Sequence, residues 1–296
     1  HQSMVSRLIS EGNRPKTSQL ELATNANYYN IEIVNTLLRS GARPNQTALL
    51  NVVNRNNIPV ASELMRYKAV PQLIHVQSAI KNKNVQMVNT LMQASNVLQV
   101  GSEELSFAVN QNDVNLAQLF VQRGAEASPS AITRAIELAN NQMVAILLKA
   151  GHPDHTALQA AANKNDASLF QTLISNYATL NGNGPVNTAI DKSNYDIIQI
   201  ALNNGASKTE TLSYAIQKNN KKAMLMALDR GANGTPALDY AVSKNDLPLF
   251  KDILTKHGGD PNQGMSKAYA QAKLEMGKIA LSSGANPNST FATAAG

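Results

Sequence analysis

Residues 209–234 read Thr-Glu-Thr-Leu-Ser-Tyr-Ala-Ile-Gln-Lys-Asn-Asn-Lys-Lys-Ala-Met-Leu-Met-Ala-Leu-Asp-Arg-Gly-Ala-Asn-Gly. This stretch spells two helices and three punctuation marks. Thr209 is a candidate N-cap, its hydroxyl accepting a backbone N–H that has no partner within the helix. Leu212, Ala215 and Ile216 follow at i, i+3 and i+4, one face of a helix. Asn219 and Asn220 interrupt it: the first suits the left-handed conformation that ends a helix, the second caps the next. Ala223, Leu225, Met226 and Leu228 belong to that second helix, and Gly231 closes it.

The unit recurs along the chain. Aligned on the small residue three positions after the first apolar one, the anchors are Val52, Ala79, Ala108, Ala135, Ala161, Ala189, Ala215, Ala241 and Ala268. Their spacings run from 26 to 29 residues with a mean of 27. Self-similarity at such a period marks a solenoid. An apolar residue precedes every anchor by three: Leu49, Val76, Leu105, Ile132, Leu158, Val186, Leu212, Leu238 and Met265. Gly follows by sixteen in five units, as Gly124, Gly151, Gly205, Gly231 and Gly284. An earlier unit starts at Leu20 or Leu22, continues through Ile31, Val34, Leu37 and Leu38, and closes at Gly41-Ala42. Its inter-helix turn, Asn25 to Asn30, reads about two residues longer than the others.

Composition narrows the class. A repeat array makes the 296-residue length a poor guide to domain count, and one elongated array over 1–296 is expected. Aromatics make up 4% and Trp is absent, so Ala and aliphatic side chains must fill the core. With no Cys, disulfides and thiolate zinc sites play no part. No apolar stretch reaches 18 residues, and the N-terminus has no signal-peptide pattern. A cytoplasmic location is expected, the host cytoplasm if the chain is a secreted bacterial effector. The net charge of +6 sits at one end: residues 1–100 hold ten Lys/Arg against Glu11, Glu21, Glu32 and Glu63, while 101–296 hold sixteen of each sign. The sequons at Asn45, Asn233 and Asn288 fall in inter-repeat loops, where Asn, Ser and Thr serve as turn and cap residues.

Met4, Val5, Leu8 and Ile9 match only the second half of a unit, and Ser289 to Ala295 resembles the start of another. A solenoid needs polar capping repeats, so the chain is expected to be a fragment cut from a larger array at both ends. Residues 67–101 are the least regular, with no closing Gly after Tyr67-Lys68 or after Ala94-Ser95. Asn181-Gly182-Asn183-Gly184 lengthens a second loop. The small anchor lets two antiparallel helices approach, and a larger side chain would overpack at about 1–3 kcal/mol. On this alignment Ala215→Leu is expected to be more damaging than Ala223→Leu. The turns Asn56-Asn57, Asn112-Asp113, Asn165-Asp166, Asn219-Asn220 and Asn245-Asp246 end one helix and cap the next; an Asn ladder gripping a ligand is the functional alternative.

The run Ala215-Ile216, Gln217-Lys218, Asn219-Asn220, Lys221-Lys222-Ala223-Met224 and Gly231-Ala232 resembles the central run of ankyrin repeats. Ala108 to Ala125 and Ala189 to Ala206 match equally well, and Thr235-Pro236-Ala237-Leu238 resembles the family's Thr-Pro-Leu-His opening with one residue inserted. The resemblance implies an all-α solenoid of about ten stacked helix-turn-helix repeats. An ankyrin unit has about 33 residues, and the shortfall here lies between the closing Gly and the next helix, so the β-hairpin fingers are expected to be shortened or absent. Tetratricopeptide repeats need about 34 residues, and no Leu-x-x-Leu-x-Leu strand of a leucine-rich repeat is found.

Candidate chemistry is sparse. His152-Pro153-Asp154-His155 has metal-ligating types in a loop without the fixed geometry a site needs. Gly205-Ala206-Ser207-Lys208-Thr209 mimics a phosphate-loop ending but lacks the Gly before Lys and the preceding strand. Glu103-Glu104 sits where acidic residues complement a helix dipole. No catalytic, cofactor-binding or metal-binding residue is assigned, and an enzyme is not expected.

The stronger pattern is a Lys ladder three residues after the anchor: Lys164, Lys192, Lys218 and Lys244, with Arg55 in the same register. Cations there also offset the dipole at the end of the first helix. One residue before the anchor stand Phe107, Arg134, Tyr214 and Tyr240, aromatics and Arg being the types that anchor interfaces. The resemblance implies that both positions line a concave, helix-lined binding face. The leading function is thus a protein–protein interaction scaffold whose partner has an acidic surface, with no small-molecule substrate. The alternatives are a targeting or spacer module of a larger enzyme, effectors included, and polyanion binding (nucleic acid or an anionic membrane) through the basic residues of 1–100.

Overall fold

The computed structural model describes residues 2–25 and 30–288, and every regular element in them is helical. The all-α expectation holds, and no β-strand occurs among the described residues. Contacts divide the chain into two units, His1–Gly151 and His152–Gly296. The first holds α1 (Gln2–Ser10), α2 (Thr17–Asn25), α3 (Ile31–Arg39), α4 (Gln46–Asn54), α5 (Ile58–Arg66), α6 (Leu73–Lys81), α7 (Val85–Ala94), α8 (Ser102–Asn110), α9 (Val114–Gln122), α10 (Pro129–Glu137) and α11 (Asn141–Leu147). The second holds α12 (His155–Asn163), α13 (Ala167–Ser175), α14 (Gly184–Asp191), α15 (Tyr195–Asn203), α16 (Lys208–Gln217), α17 (Lys221–Asp229), α18 (Leu238–Ser243), α19 (Leu247–Lys256), α20 (Pro261–Ala270) and α21 (Leu274–Ser282), with a 3-10 turn at Thr235–Ala237 leading into α18.

Helices of six to ten residues are too short to stand alone in water, so packing must hold them. Each pairs with its successor as a hairpin, α4 with α5 through α10 with α11 in the first unit and α12 with α13 through α20 with α21 in the second. First helices also touch one another: α2, α4, α6, α8 and α10 in sequence, then α12, α14 and α16, and α18 with α20. The nine anchors are at most 2% exposed, and the apolar residue three before each is at most 1% exposed.

One turn builds every one of these nine hairpins. The residue four after the anchor is left-handed, with φ between 53° and 60°, at Asn56, Lys83, Asn112, Ala139, Asn165, Ser193, Asn219, Asn245 and Ala272. The N–H of the following residue donates to the anchor's carbonyl in all nine, at 2.8–3.1 Å. That bond is the six-to-one closure that satisfies a terminal carbonyl. The donor residue then caps the second helix in eight hairpins, through Asn57, Asn84, Asp113, Asn140, Asp166, Asn194, Asn220 and Asp246. Lys273, in the ninth, has no acceptor to offer and makes no side-chain cap. The Asn amides have structural work: Asn84, Asn140 and Asn194 each also donate to the left-handed Asn of the preceding hairpin, at 3.2, 2.7 and 2.9 Å.

The second helices close by three routes. Gly41, Gly124, Gly205, Gly231 and Gly284 are left-handed, and Lys68 and Tyr177 take the same conformation at φ 70° and 69°. Gly151 is different: a Cβ there would lie 2.0 Å from the Ala127 carbonyl oxygen, so close approach rather than backbone freedom requires Gly. The end of α7 has no left-handed residue. Instead the Arg123 guanidinium donates to the carbonyls of Ser95 and Met92, at 2.5 and 3.2 Å.

Several local expectations need correction. The N-cap of α16 is Ser207, not Thr209: its hydroxyl accepts from the Glu210 N–H at 3.3 Å, and its N–H and carbonyl bond the buried Asn183 side chain. The buried stripe of α17 is Ala223, Met224, Ala227 and Leu228. Ala223 is as inaccessible as Ala215, both at 0% exposure, so the expected difference between enlarging them disappears. The long turn expected between Asn25 and Asn30, and the further unit expected from Ser289 to Ala295, lie outside the described residues. Among the described residues no helix is long and apolar enough to cross a membrane.

Candidate partner-binding face

Burial of the anchor and of the residue three before it fixes the roll of each first helix. The residues two and three after the anchor then face away from the hairpin core, and the residue one before it lies at the edge, half-buried on most first helices and buried as Ala160 on α12. In the second unit these are Thr188, Asp191 and Lys192 on α14, Tyr214, Gln217 and Lys218 on α16, and Tyr240, Ser243 and Lys244 on α18. The tyrosines are half-buried and the lysines exposed. Each ladder lysine described here is the C-cap of its helix: Lys164 on α12, Lys192 on α14, Lys218 on α16 and Lys244 on α18. A cation at that end is favoured by the helix dipole whatever its further role.

Tyr214 and Tyr240 each meet a ladder lysine. Lys218 Nζ lies 5.1 Å from the centre of the Tyr214 ring, and Lys244 Nζ lies 5.9 Å from that of Tyr240. The i, i+4 spacing on one helix makes both pairs. The first pair also holds a carboxylate from the preceding first helix. Asp191 accepts from the Tyr214 hydroxyl at 2.9 Å and lies 2.8 Å from Lys218 Nζ. The hydrogen bond from Lys218, then that from Tyr214, holds the Asp191 carboxyl below its ordinary pKa. The same contacts, Asp191 first, raise the Lys218 ammonium above its own. A further ion pair joins neighbouring first helices, Lys267 of α20 to Asp239 of α18. The acidic members, Asp191 and Asp239, lie outside the two registers that hold the cations and aromatics. For Asp191 the signal is an acid two after one anchor that meets the Tyr and Lys flanking the next; Asp239, two before its anchor, follows no such register.

The remaining candidates fall elsewhere. Phe107 is half-buried on α8, and Arg134 of α10 pairs with Glu137 at 3.2 Å, both in the first unit. Of the basic residues in 1–100, Arg7 pairs with Glu11, Arg66 with Glu63, and Arg55 bonds the Asn25 carbonyl at the end of α2. An apolar groove of about 340 Å³ lies among α1, α2 and α3, lined by Val5, Leu8, Ile9, Leu22 and Leu37 with Arg14 at its edge.

The weaker motifs have local duties. Asp154 caps α12, accepting from Thr156 N–H at 2.9 Å and Ala157 N–H at 3.4 Å. Burial pushes its carboxyl up, but the Thr156 hydroxyl and amide, the Ala157 amide and the nearby His155 outweigh that, and the pKa lies below ordinary. His152 stands edge-on to Tyr177, ring centres 5.5 Å apart. Glu104 is buried and reaches back to accept from the Gly101 N–H at 2.7 Å, while Ser102 is the first residue of α8. Among the described residues no group of three or more His, Asp or Glu side chains is placed to hold a metal ion.

No protein-family model matches the chain, and no curated protein matches it.

Proposed function

We propose that the chain is an ankyrin-like array of stacked helix hairpins that acts as a protein-binding scaffold, by recognition rather than catalysis. Its binding surface is the outward face of the first helices in His152–Gly296, and its partner presents carboxylates. The observation that carries this is the Tyr–Lys pair repeated in one register on consecutive first helices, Tyr214 with Lys218 and Tyr240 with Lys244. Tyr offers a large, stiff contact area at small entropic cost, and exposed Lys steers an acidic partner. The hairpin framework spends its own residues on turns and core and leaves this face to vary. A protein partner is favoured over a nucleic acid or a membrane because Asp191 and Asp239 take up Lys218 and Lys267, leaving isolated cations beside aromatics rather than the continuous basic stripe that a phosphate backbone needs.

Panning a displayed random-peptide library against the wild type and against a Lys192→Glu, Lys218→Glu, Lys244→Glu variant tests the proposal. Acidic peptides should be enriched by the wild type and lost by the variant. Enrichment indifferent to the three lysines would overturn it. Binding to duplex DNA that weakens steeply between 50 and 200 mM salt, with no peptide enriched, would favour polyanion binding instead.

A further inference from the structure

The Asp191 contact is a template repeated one hairpin further on with a member missing. The notch between neighbouring first helices is made by the residue two after one anchor and the residues one before and three after the next. Between α14 and α16 it contains Asp191, Tyr214 and Lys218, and the carboxylate is held from both sides, phenol hydroxyl on one oxygen and ammonium on the other. In the next hairpin the corresponding residues by register are Gln217 at the end of α16 and Tyr240 and Lys244 on α18, with the 3-10 turn Thr235–Ala237 standing against α16. The phenol and ammonium recur, Nζ 5.9 Å from the ring centre against 5.1 Å in the first copy, and the register position of Asp191 is taken by an uncharged amide, Gln217. Among the described residues neither the Tyr240 hydroxyl nor the Lys244 ammonium has a hydrogen-bond or ion-pair partner, and Gln217 is exposed.

The structure therefore assigns the Tyr240–Lys244 notch as a carboxylate-binding site, and we infer that its occupant is a Glu or Asp side chain of an extended acidic peptide. Asp191 shows that the protein's own geometry accepts such a group bidentately, one oxygen to each donor. Exposed charge beside an aromatic ring, left without a counter-charge in one copy and given one in the adjacent copy, is complementary to an external anion. Packed helices lie about 8–10 Å apart and an extended chain rises about 3.3 Å per residue. A peptide crossing the hairpins thus brings one residue in about three over each first helix. An acidic residue at that period would place one carboxylate in the notch and another toward Lys192, two first helices away. This inference rests on the protein-binding function proposed above and names the recognition element within it.

The test uses the whole chain and a capped, fluorescein-labelled 12-residue peptide with Glu at every third position in a Gly-Ser background, read by fluorescence anisotropy. Lys244→Met should weaken binding about tenfold or more, as expected for loss of a charged hydrogen bond, and Tyr240→Phe by a smaller factor. Lys251→Met, on the exposed side of α19, should change nothing. Gln217→Asp rebuilds the template in the second notch and should compete with the peptide, weakening it about tenfold. Its introduced carboxyl should titrate below the ordinary aspartate range in a carbon-13 NMR titration, since the same phenol and ammonium would hold its charged form. An introduced carboxyl that titrates normally, or a peptide that binds Gln217→Asp as well as wild type, overturns the notch. Wild type that does not bind the peptide overturns it too. If the notch fails while the triple Lys→Glu variant still loses the peptide, the face proposal survives alone. If the triple variant keeps the peptide, both fall. Inorganic polyphosphate displacing the peptide more effectively than free poly-glutamate would identify a phosphate site instead.

Discussion

Ala139→Gly should stabilise this protein, although Gly is normally a poor exchange for Ala in a helical fold. Ala139 ends α10 at φ 55°, is exposed, and is followed by Asn140, whose N–H donates to the Ala135 carbonyl at 3.1 Å. The substitution touches none of those bonds. An L-residue in the left-handed region costs about 1–2 kcal/mol, and Gly removes that cost. Against this, the unfolded chain gains freedom at Gly worth about 0.5–1 kcal/mol. The difference runs from about zero to a gain of about 1.5 kcal/mol, or up to about 6 °C in melting temperature for a unit of this size. The control is the same exchange four residues earlier. Ala135 is helical and 0% exposed, so Ala135→Gly loses about 0.5–1 kcal/mol of backbone preference and about 0.8 kcal/mol of buried methyl. Its melting temperature should fall by about 3–8 °C. Circular dichroism melts of the two variants beside wild type decide the matter by sign. A loss at Ala139 comparable to that at Ala135 would mean that residue 139 is not left-handed, and the turn common to the nine hairpins would be wrongly drawn.

Other consequences can be measured on the same footing. Ala215→Leu and Ala223→Leu should each cost about 1–3 kcal/mol by overpacking, with similar falls in melting temperature, since both side chains are inaccessible. Arg123→Ala should cost about 1.5–3 kcal/mol and speed amide exchange in the last turn of α7, because the guanidinium serves the Met92 and Ser95 carbonyls; Lys should not restore it, lacking the planar fork. The folded pKa of Asp191 lies below its ordinary 3.8, so its link to Lys218 and Tyr214 favours the fold above the unfolded carboxyl pKa and is lost as pH falls through the folded value. In a carbon-13 titration its midpoint should lie below 3.8, and Lys218→Met should raise it.

The period, the anchors and the paired turn residues were legible because each is a local rule with one residue type behind it. A buried small residue, an Asn at φ > 0 and an Asn or Asp cap leave the same mark in every copy. Where another residue met the same backbone demand, the mark vanished: Lys83, Ala139, Ser193 and Ala272 are left-handed without being Asn or Gly. There, backbone hydrogen bonding and packing override intrinsic preference. The closure of α7 by Arg123 was illegible for a different reason. It joins residues 28 and 31 positions apart, and nothing in either local sequence requires the other. The capping of α16 shifted from Thr209 to Ser207 because Ser207 is also gripped by the Asn183 side chain of the preceding hairpin. The candidate face was half legible. The cations and aromatics stood out by register, whereas Asp191 belongs to the neighbouring repeat and was seen only once the helices were side by side.

That division of labour explains how a repeat can be so degenerate and still fold. The turn needs a backbone conformation and one capping oxygen; the core needs a small anchor and an apolar residue one turn before it. Together these consume four positions of about 27 and tolerate Lys, Ala or Ser at one of them. The positions one before, two after and three after the anchor are freer: most of their side chains leave the core, though Ala160 is buried and Arg55 and Asn82 bond carbonyls of the preceding hairpin. They differ from copy to copy, as Ser78 and Asn82, Tyr214 and Lys218, and Tyr240 and Lys244 do. The helix dipole favours a cation three after the anchor, but it does not call for the Tyr four residues before it. In the first copy the pair meets Asp191; in the second the same chemistry is left facing outward.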